Sequence, residues 1–320
     1  MKKKFIILLT VVTLCASTIA CSKTSNTNNT NTTAQETTNT VINSDLKLDD
    51  DIGEVTCNIN LDSSITVSGT GATVSDNKVT ITSGGVYEIS GTSSNCQIIV
   101  NSESEENVYL VLNNVNLTYE NSAPIYVKSA KNTIITLADN SENYLSDGSE
   151  YLYEELNDDG TVTDEPSACI FSKDDLTING NGTLNVVGNY NNGIASKDDL
   201  KITAGTVNVT AVNNGLKGKD SITIKGGNIT INASGDGLKS TNSEETEKGY
   251  IDIQGGTLNI TSTNDGIQAE SNVNISDGTI NITTGGGSAN SSSKNNNDQN
   301  PWGQWGNSSS SSSSTSTDTS

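Results

Sequence analysis

Histidine and arginine are absent from this chain of 320 residues, and all 17 of its basic residues are lysines. Without histidine, the chain has no Ser-His-Asp or Cys-His catalytic arrangement and no histidine-ligated zinc site. Without arginine, it has no bidentate guanidinium clamp for phosphate or carboxylate. Any general base that the chain supplies must therefore be a lysine, a tyrosine or a carboxylate.

Apolar and aromatic residues are scarce as well. Hydrophobic residues make up 32% of the chain and aromatic residues 4%, which is low for a globular domain of this length. Two polar end segments lower the average, and their removal leaves one predicted domain at residues 52–287.

Negative charge is in strong excess, with 38 acidic residues and a formal net charge of −21. This excess argues against nucleic acid and against an anionic membrane surface as direct partners. It favours cations, or ligands that bind through cations. A well-solvated extracellular surface explains the same charge without any ligand.

We expect the protein to be a monomer.

The N-terminus has the pattern of a bacterial secretory signal. Three lysines at residues 2–4 precede an apolar run that is too short for a comfortable membrane span. The sequence Thr18-Ile-Ala-Cys21 is similar to a lipobox, which predicts a signal peptide at residues 1–20 and a lipid on Cys21. Cleavage without lipidation is the alternative. We expect a protein on the extracellular face of the bacterial cell membrane, which contacts the membrane only through this lipid.

Two segments are of low complexity. Residues 21–51 are rich in Thr and Asn, which predicts a disordered tether. Residues 288–320 are rich in Ser and Asn and predict a tail or an insert.

Between these segments, one unit recurs. Gly193, Gly215, Gly237 and Gly266 begin successive copies at intervals of 22, 22 and 29 residues. Each copy contains short apolar-x-apolar segments separated by a Gly-rich turn. A period near 22 with short strands and no helical pattern is typical of a β-solenoid.

Three aliphatic columns follow from aligning the copies. They are Ile170, Ile194, Leu216, Leu238 and Ile267; Leu176, Leu200, Ile222, Ile251 and Val273; and Leu184, Val207, Ile229, Leu258 and Ile280. Three columns predict three strands per coil. Because parallel crossovers are overwhelmingly right-handed, we expect an all-β, right-handed, single-stranded parallel β-helix. Residues 139–166 break the period, which predicts a loop ejected from one coil.

Three cysteines remain in the predicted domain: Cys57, Cys96 and Cys169. Their odd number and the absence of C-x-x-C spacing argue against a zinc site or a redox motif. Cys57 would pair with Cys96 only if their coils are adjacent. Cys169 stands at the repeat position of Gly193, which favours a small structural thiol.

Two polar columns are candidates for metal binding. One lies just before a core strand, and the other precedes the repeat glycines. Aligned residues of stacked coils lie about 4.8 Å apart, where two carboxylates repel by roughly 3 kcal/mol at an effective dielectric near 20. Ca²⁺, which prefers oxygen ligands, would relieve this repulsion, as would water or lysines, and a turn or an amide ladder explains the second column. The candidate ligands are Asp174, Asp175, Asp198, Asp199, Asp220, Asp236, Asp265 and Glu270.

Lysines and tyrosines are the candidates for binding a sugar. Lys217 and Lys239 share an outward-facing column, and a lysine beside Ca²⁺-bound carboxylates is a candidate base for a pectate-lyase-type elimination. Binding of sugar carboxylates and neutralisation of the acidic columns are the alternatives. Tyr151, Tyr153 and Tyr250 are candidate sugar-stacking residues, although packing of the loop against the solenoid explains the loop tyrosines equally well.

Outward-facing Thr and Asn form rows, as in Thr206-x-Asn208-x-Thr210. Such an array would match a crystalline lattice such as cellulose. The tolerance of Thr and Asn for solvent-facing strand positions explains it without a ligand.

Several motifs have a family resemblance: Gly85-Val-Tyr-Glu-Ile-Ser-Gly91, Ala123-Pro-Ile-Tyr-Val127, Asp164-Glu-Pro166, Phe171-Ser-Lys-Asp-Asp-Leu-Thr-Ile178, Gly193-Ile-Ala-Ser-Lys-Asp-Asp-Leu200 and Asp265-Gly-Ile-Gln-Ala-Glu270. They resemble clostridial lipoproteins called carbohydrate-binding domain-containing proteins, over about residues 55–287. The resemblance implies a right-handed parallel β-helix with bound Ca²⁺, similar in fold to polysaccharide lyases. It also implies binding of cellulose and of acidic polysaccharides such as pectin, without established lyase activity.

The family pattern is not matched everywhere. Its Asp-Gly pair matches Asp236-Gly237 and Asp265-Gly266, but Asn192 and Asn214 replace the acid, which weakens the Ca²⁺ expectation in those coils. Relatives look longer, and residues 285–320 resemble an insert that further coils would follow.

Three functional hypotheses are open at this point. The first is a surface-anchored, Ca²⁺-dependent carbohydrate-binding protein for plant cell-wall polysaccharide, and the second is a Ca²⁺-dependent polysaccharide lyase. The third is an adhesion or scaffold solenoid without a glycan ligand. A binder requires only a neutralising cation and a long groove, whereas a lyase also requires a base of lowered pKa.

Overall fold

The computed structural model describes residues 52–153, 156 and 159–285, and this part of the chain contains β-strands without a helix. Accordingly, the described residues include no helix that is long and apolar enough to cross a membrane. The predicted signal peptide (1–20), the lipidation site Cys21, the tether (21–51) and the tail (288–320) lie outside the described residues.

Twenty-five strands follow one another along the described chain. They are β1 (Cys57–Asn60), β2 (Thr66–Gly69), β3 (Ala72–Ser75), β4 (Lys78–Ile81), β5 (Gly85–Ser93), β6 (Gln97–Asn101), β7 (Val108–Tyr119), β8 (Ile125–Ser129), β9 (Thr133–Leu137), β10 (Glu142–Asp147), β11 (Ala168–Ser172), β12 (Leu176–Gly180), β13 (Thr183–Gly188), β14 (Asn192–Ser196), β15 (Asp199–Ile202), β16 (Thr206–Ala211), β17 (Leu216–Gly218), β18 (Ser221–Ile224), β19 (Asn228–Ala233), β20 (Leu238–Ser240), β21 (Tyr250–Ile253), β22 (Thr257–Ser262), β23 (Ile267–Gln268), β24 (Val273–Ile275) and β25 (Thr279–Thr284).

Most of the strands form three ladders, whose pairs are parallel except for that between β3 and β4. Ladder I contains β9, β12, β15, β18, β21 and β24, and ladder II contains β10, β13, β16, β19, β22 and β25. The long strand β7 pairs with both β9 and β10 and joins these two ladders into one sheet. Ladder III is a separate nine-stranded sheet that contains β3, β4, β6, β8, β11, β14, β17, β20 and β23. From β11 onward, successive strands enter ladders III, I and II in turn.

The predicted aliphatic columns are confirmed by the pairing. Ile194 pairs with Leu216 and Leu216 with Leu238 in ladder III, so that residues 22 positions apart stand side by side. The same holds for Leu200 and Ile222 in ladder I. Most members of the three columns are fully buried in one core cluster, and full burial of each such side chain contributes about 1.5–3 kcal/mol.

The ends of the ladders differ. Near the N-terminal end, β2 and β3 form antiparallel pairs with β1 and β4. At the other end, no described strand follows β23, β24 and β25 in the ladders. The side chain of Val273 is consequently 47% exposed, although its column is buried elsewhere.

The predicted ejected loop was only partly right. Its first residues form β10, which pairs with β7 and β13 in ladder II. The alternation of buried and exposed residues in Asn143-Tyr144-Leu145 matches that strand and was masked by the surrounding acidic and aromatic residues. The described residues that leave the ladders are 148–153, 156 and 159–167, which we call the strap.

Close packing explains the repeat glycines. A Cβ atom on Gly215 would lie 2.3 Å from Cγ2 of Ile231 and 2.8 Å from the carbonyl oxygen of Gly237. Gly193 would meet Val209 in the same way. The pairing of β11 with β14 places Cys169 opposite Gly193, as predicted.

The three cysteines of the described part are buried free thiols. Burial raises the pKa of Cys96 to about 12, which keeps this thiol protonated and unreactive at neutral pH.

We expect Gly215→Ala to lower the free energy of unfolding by about 1–3 kcal/mol, because the added methyl group overpacks the interior. Urea unfolding followed by circular dichroism measures this change. Ser234→Ala, at an exposed residue between β19 and β20, is the control and should leave the midpoint unchanged. Equal midpoints for the two variants would contradict the packing explanation.

Candidate functional site

Lysines are concentrated on the outer face of ladder III. Leu216 and Leu238 point inward, so Lys217 and Lys239, which pair with each other, point outward. Lys173, Lys197 and Lys219 directly follow Ser172, Ser196 and Gly218, which are aligned by the pairing of β11, β14 and β17. We call these five lysines the lysine stripe.

A groove of about 370 Å³ lies along this stripe. Its lining includes Lys197, Lys217 and Lys219, together with Tyr190 and the strap residues Asp164 and Glu165. The groove, which Phe171 also lines, therefore combines several cations, two aromatic rings and two carboxylates. In a protein of net charge −21, it is a local concentration of positive charge.

Lys217 is the groove lysine whose pKa is shifted from its ordinary value. Burial lowers the pKa of its ammonium group, and the neighbouring Lys239 and Lys197 lower it further, while Asp164 opposes them. Lys239 has a partner, since its Nζ lies 2.7 Å from Oδ2 of Asp236. Lys217 makes no ion pair within the described part of the chain. A half-buried cation beside two like charges favours an anionic ligand.

The strap is anchored by a buried carboxyl group. Asp147, only 3% exposed, has its Oδ2 2.6 Å from the hydroxyl of Tyr151 and its Oδ1 2.5 Å from the backbone nitrogen of Asn189. Burial raises the pKa of Asp147, although the hydrogen bond from Tyr151 opposes this effect. The hydroxyl of Tyr151 also lies 3.0 Å from the carbonyl oxygen of Ala168. Tyr151 thus ties the start of the strap to the strand that follows it.

Three tyrosines pack together beside this anchor. The rings of Tyr151 and Tyr190 stack at 4.1 Å between centroids. The hydroxyl of Tyr153 lies 3.0 Å from the carbonyl oxygen of Pro166 and 3.1 Å from the hydroxyl of Tyr190. Tyr190 completes a cluster that connects the two ends of the strap to the turn after β13.

The candidate sugar-stacking residues are therefore in different places. Tyr151 is buried in the tyrosine cluster. Tyr153 lines a second, smaller cavity of about 130 Å³, on which Lys78 and Lys128 also border. Tyr250 belongs to ladder I, where it pairs with Ser221, and the structure does not bring it together with Lys217 or Lys239.

Asp164 and Glu165 line the groove but were not among the residues selected from the sequence. The irregular strap breaks the repeat, so no column points to its two acids. Their only sequence signal is the Asp-Glu-Pro motif of the family resemblance.

The acidic column before ladder I consists of Asp174, Asp198 and Asp220, with Asp175 and Asp199 beside them. It is largely engaged by the protein itself. Oδ2 of Asp174 accepts a hydrogen bond from the backbone of Ala130 (2.8 Å), and Oδ1 of Asp199 accepts one from the hydroxyl of Ser221 (2.7 Å). Oδ2 of Asp220 lies 2.8 Å from Nζ of Lys248.

The pKa values of this column diverge. Burial raises the pKa of Asp198, and the neighbouring Asp220, Asp175 and Asp174 raise it further. For Asp220, burial is outweighed by hydrogen bonds from Lys248 and Asn242, which lower its pKa. The pKa of Asp175 is raised as well, by burial and by the neighbouring Asp199 and Asp174, so negative charge is poorly compensated at both Asp198 and Asp175.

The second polar column forms a hydrogen-bonded ladder. Asn214 donates from Nδ2 to Oδ1 of Asn192 (2.8 Å), and the backbone nitrogens of Asp236 and Asp265 donate to the side chains of Asn214 and Asp236 (3.0 Å each). Asp265 and Glu270 are exposed. Among the described residues, no three acidic or cysteine side chains come together to hold a metal ion by themselves.

The outer face of ladder II bears the predicted rows of Thr and Asn. Thr206 pairs with Asn228, and Asn228 with Thr257. Within these rows, Asn208 donates to Asn185 across neighbouring strands (3.0 Å).

Loss of the Tyr151 hydroxyl should destabilise the strap. In Tyr151→Phe, the buried carboxyl of Asp147 loses a hydrogen-bond donor, which should cost about 1–3 kcal/mol of unfolding free energy. Thermal unfolding and limited proteolysis of the strap would measure the effect. Tyr144→Phe is the matched control, because the Tyr144 hydroxyl contacts Glu142 at an exposed site. A Tyr151→Phe protein as stable and protease-resistant as the control would contradict the anchoring role.

This chain is similar to known proteins. The chain is 47% identical over 141 residues to a carbohydrate-binding domain-containing protein of Acetivibrio thermocellus. The match covers 44% of this chain and 48% of the relative, so it spans about half the length of that curated protein.

A solved structure is also similar. The polysaccharide lyase-like protein from C. thermocellum, as a gadolinium derivative, superposes with a TM-score of 0.69 at 44% identity, over 73% of this chain and 93% of that chain. The chain belongs to the carbohydrate-binding domain-containing protein family, whose model matches residues 75–318.

Proposed function

We propose that the lysine stripe binds an acidic polysaccharide, such as pectin of the plant cell wall. The observation that carries this proposal is Lys217, a half-buried lysine of lowered pKa without an acidic partner in the described chain, in a groove lined by further lysines. A sugar carboxylate would relieve the repulsion among Lys217, Lys239 and Lys197.

The geometry of the ladder suits an extended polyanion. Aligned lysines recur at about 4.8 Å intervals, so a chain with carboxylates along its length would meet one cation after another. Each exposed pair contributes at most about 1 kcal/mol. The affinity should therefore grow by adding contacts, and it should fall with rising salt.

Cellulose is a second proposed ligand class, at a different surface. The Thr and Asn rows of ladder II present hydroxyl and amide groups in a regular array. Such groups form hydrogen bonds with neutral sugar hydroxyls.

We also propose that each coil contains about 22 residues and that the coils wind as a right-handed β-helix. The support is that crossovers between parallel strands are overwhelmingly right-handed.

We propose that Ca²⁺ assists binding at the acidic column. The pKa of Asp198 is raised by burial and by the neighbouring Asp220, Asp175 and Asp174, whereas Asp220 and Asp236 already have lysine partners. Because Ca²⁺ takes about six to eight oxygen ligands, water and ligand carboxylates would have to complete its shell. The similar structure is a gadolinium derivative, and gadolinium is, like calcium, a hard cation that prefers oxygen.

A second candidate function is elimination of an acidic polysaccharide. One observation favours it: the pKa of Lys217 is lowered by burial and by two neighbouring lysines, as a general base requires. The binder remains the preferred function, because it requires only the charge and the groove. Release of unsaturated product that is lost in Lys217→Ala would establish the lyase instead.

The proposed location is the extracellular face of the cell membrane, with a monomeric protein held by a lipid on Cys21. The support is the signal-like N-terminus and its lipobox-like sequence. Membrane association that persists in Cys21→Ser would disprove the anchor.

We expect Lys217→Ala to weaken binding to polygalacturonate about fivefold to tenfold, because a partly desolvated cation is lost. Affinity electrophoresis or calorimetry at low salt measures this. Lys225→Ala, an exposed lysine after β18, is the matched control and should bind as the wild type does.

The pH dependence has a defined sign. Because the pKa of Lys217 is lowered from its usual 10.5, the wild-type affinity should be greatest below that lowered pKa and fall as pH rises through it. The fall should begin below pH 10.5 and be reduced in Lys217→Ala. Equal binding by the two lysine variants would refute the proposed groove.

The same measurements with a chelator test the cation. If Ca²⁺ bridges the acidic column to the ligand, the chelator and Asp198→Asn should each weaken binding, and the two effects should not add. If the chelator leaves binding unchanged, Ca²⁺ takes no part in it, and the lysine stripe alone is the proposed binding site.

A further inference from the structure

We infer that Glu165 ends the anion-binding groove by occupying two lysines of the lysine stripe, Lys173 and Lys197. Its carboxylate takes the place that a ligand carboxylate would take on Lys173 and Lys197. This inference rests on the proposed function, and it makes Glu165 the residue that sets how much of an acidic polysaccharide the groove accepts.

The contacts of Glu165 are those of a bound carboxylate. Its Oε2 lies 3.4 Å from Nζ of Lys173, and its Oε1 is hydrogen-bonded to Nζ of Lys197. The side chain of Glu165 is only 18% exposed, whereas those of Lys173 and Lys197 are 36% and 46% exposed. The lysines are therefore open to a ligand, and the shielded glutamate competes with it.

The position of Glu165 is fixed by the strap on both sides. Its backbone nitrogen donates to the hydroxyl of Thr163 (3.1 Å). The carbonyl oxygen of the next residue, Pro166, accepts a hydrogen bond from Tyr153 (3.0 Å), whose ring packs in the tyrosine cluster. Because the backbone is held, the carboxylate reaches the two lysines at a small cost in conformational entropy.

The stripe is divided as a result. At the β11 end, Glu165 compensates the charges of Lys173 and Lys197. At β17, Lys217 and Lys219 have no carboxylate within ion-pair distance among the described residues and line the same groove. An anionic ligand is thus directed to the Lys217 side, and the strap closes the side toward β11.

Removal of this internal carboxylate should extend the site. We expect Glu165→Gln to bind long oligogalacturonates about threefold to tenfold more tightly, since two exposed lysines become available. Dimers, which fit on the Lys217 side, should gain less. Calorimetry with oligogalacturonates of increasing length, at low salt, measures both effects. Glu103→Gln, which removes one exposed charge from the loop after β6, is the control for net charge and should bind like the wild type.

Lys173 provides an independent test. Alone, Lys173→Ala should leave the wild-type affinity within about twofold, because Glu165 already occupies that lysine. In the Glu165→Gln background, the same change should remove part of the gain. If Glu165→Gln acted only by loosening the strap, Lys173→Ala would have the same effect on binding in both backgrounds. The comparison therefore distinguishes the two explanations.

These measurements test the proposed function and the role of Glu165 separately. If neither the wild type nor Glu165→Gln binds any acidic oligosaccharide, the proposed function is wrong. If the wild type binds and Glu165→Gln binds equally or more weakly, the proposed function stands and the role of Glu165 is wrong. A gain as large in Glu103→Gln would also overturn it, because net charge would then be the cause.

Discussion

Backbone pairing of parallel strands in one constant register is the interaction on which the rest of this protein depends. Ile194 pairs with Leu216 and Leu216 with Leu238, so each side chain lies beside its equivalent in the next repeat. Inside the ladders this is favourable at every step, because each aliphatic group is buried by another. A slip by one residue would turn Lys217 inward and Leu216 outward, and this cost keeps the register.

On the outside, the same register stacks like charges, and the protein compensates them from irregular segments. Lys248, in the loop between β20 and β21, neutralises Asp220. The strap brings Glu165 to Lys173 and Lys197. Lys217 receives no such partner in the described chain, and Asp198 remains crowded by acids. The uncompensated positions are therefore the natural places for a ligand, because there binding relieves a repulsion that the fold itself creates.

The repeat made the regular part of the fold predictable. Aligning glycines located the aliphatic columns and the outward column of Lys217 and Lys239, because period and pairing are the same property in stacked strands. The strap was not predictable in this way. β10 was assigned to a loop, and Glu165 was missed, since its contacts depend on tertiary packing by Tyr151 and Tyr153. The amide ladder of Asn214 was foreseen as an alternative to metal binding, but spacing alone does not decide between the two.

The steric demand at the repeat glycines has a consequence for how this protein can change in length. Around Gly193 and Gly215, the atoms nearest to an added Cβ belong to the next repeat glycine and to side chains of ladder II, so a duplicated or deleted repeat preserves this packing if its glycine is kept. The groove then lengthens or shortens in whole steps of about 4.8 Å, one strand at a time. Gene duplication can thus change the length of this surface in whole strands, as long as the glycine of each repeat is kept.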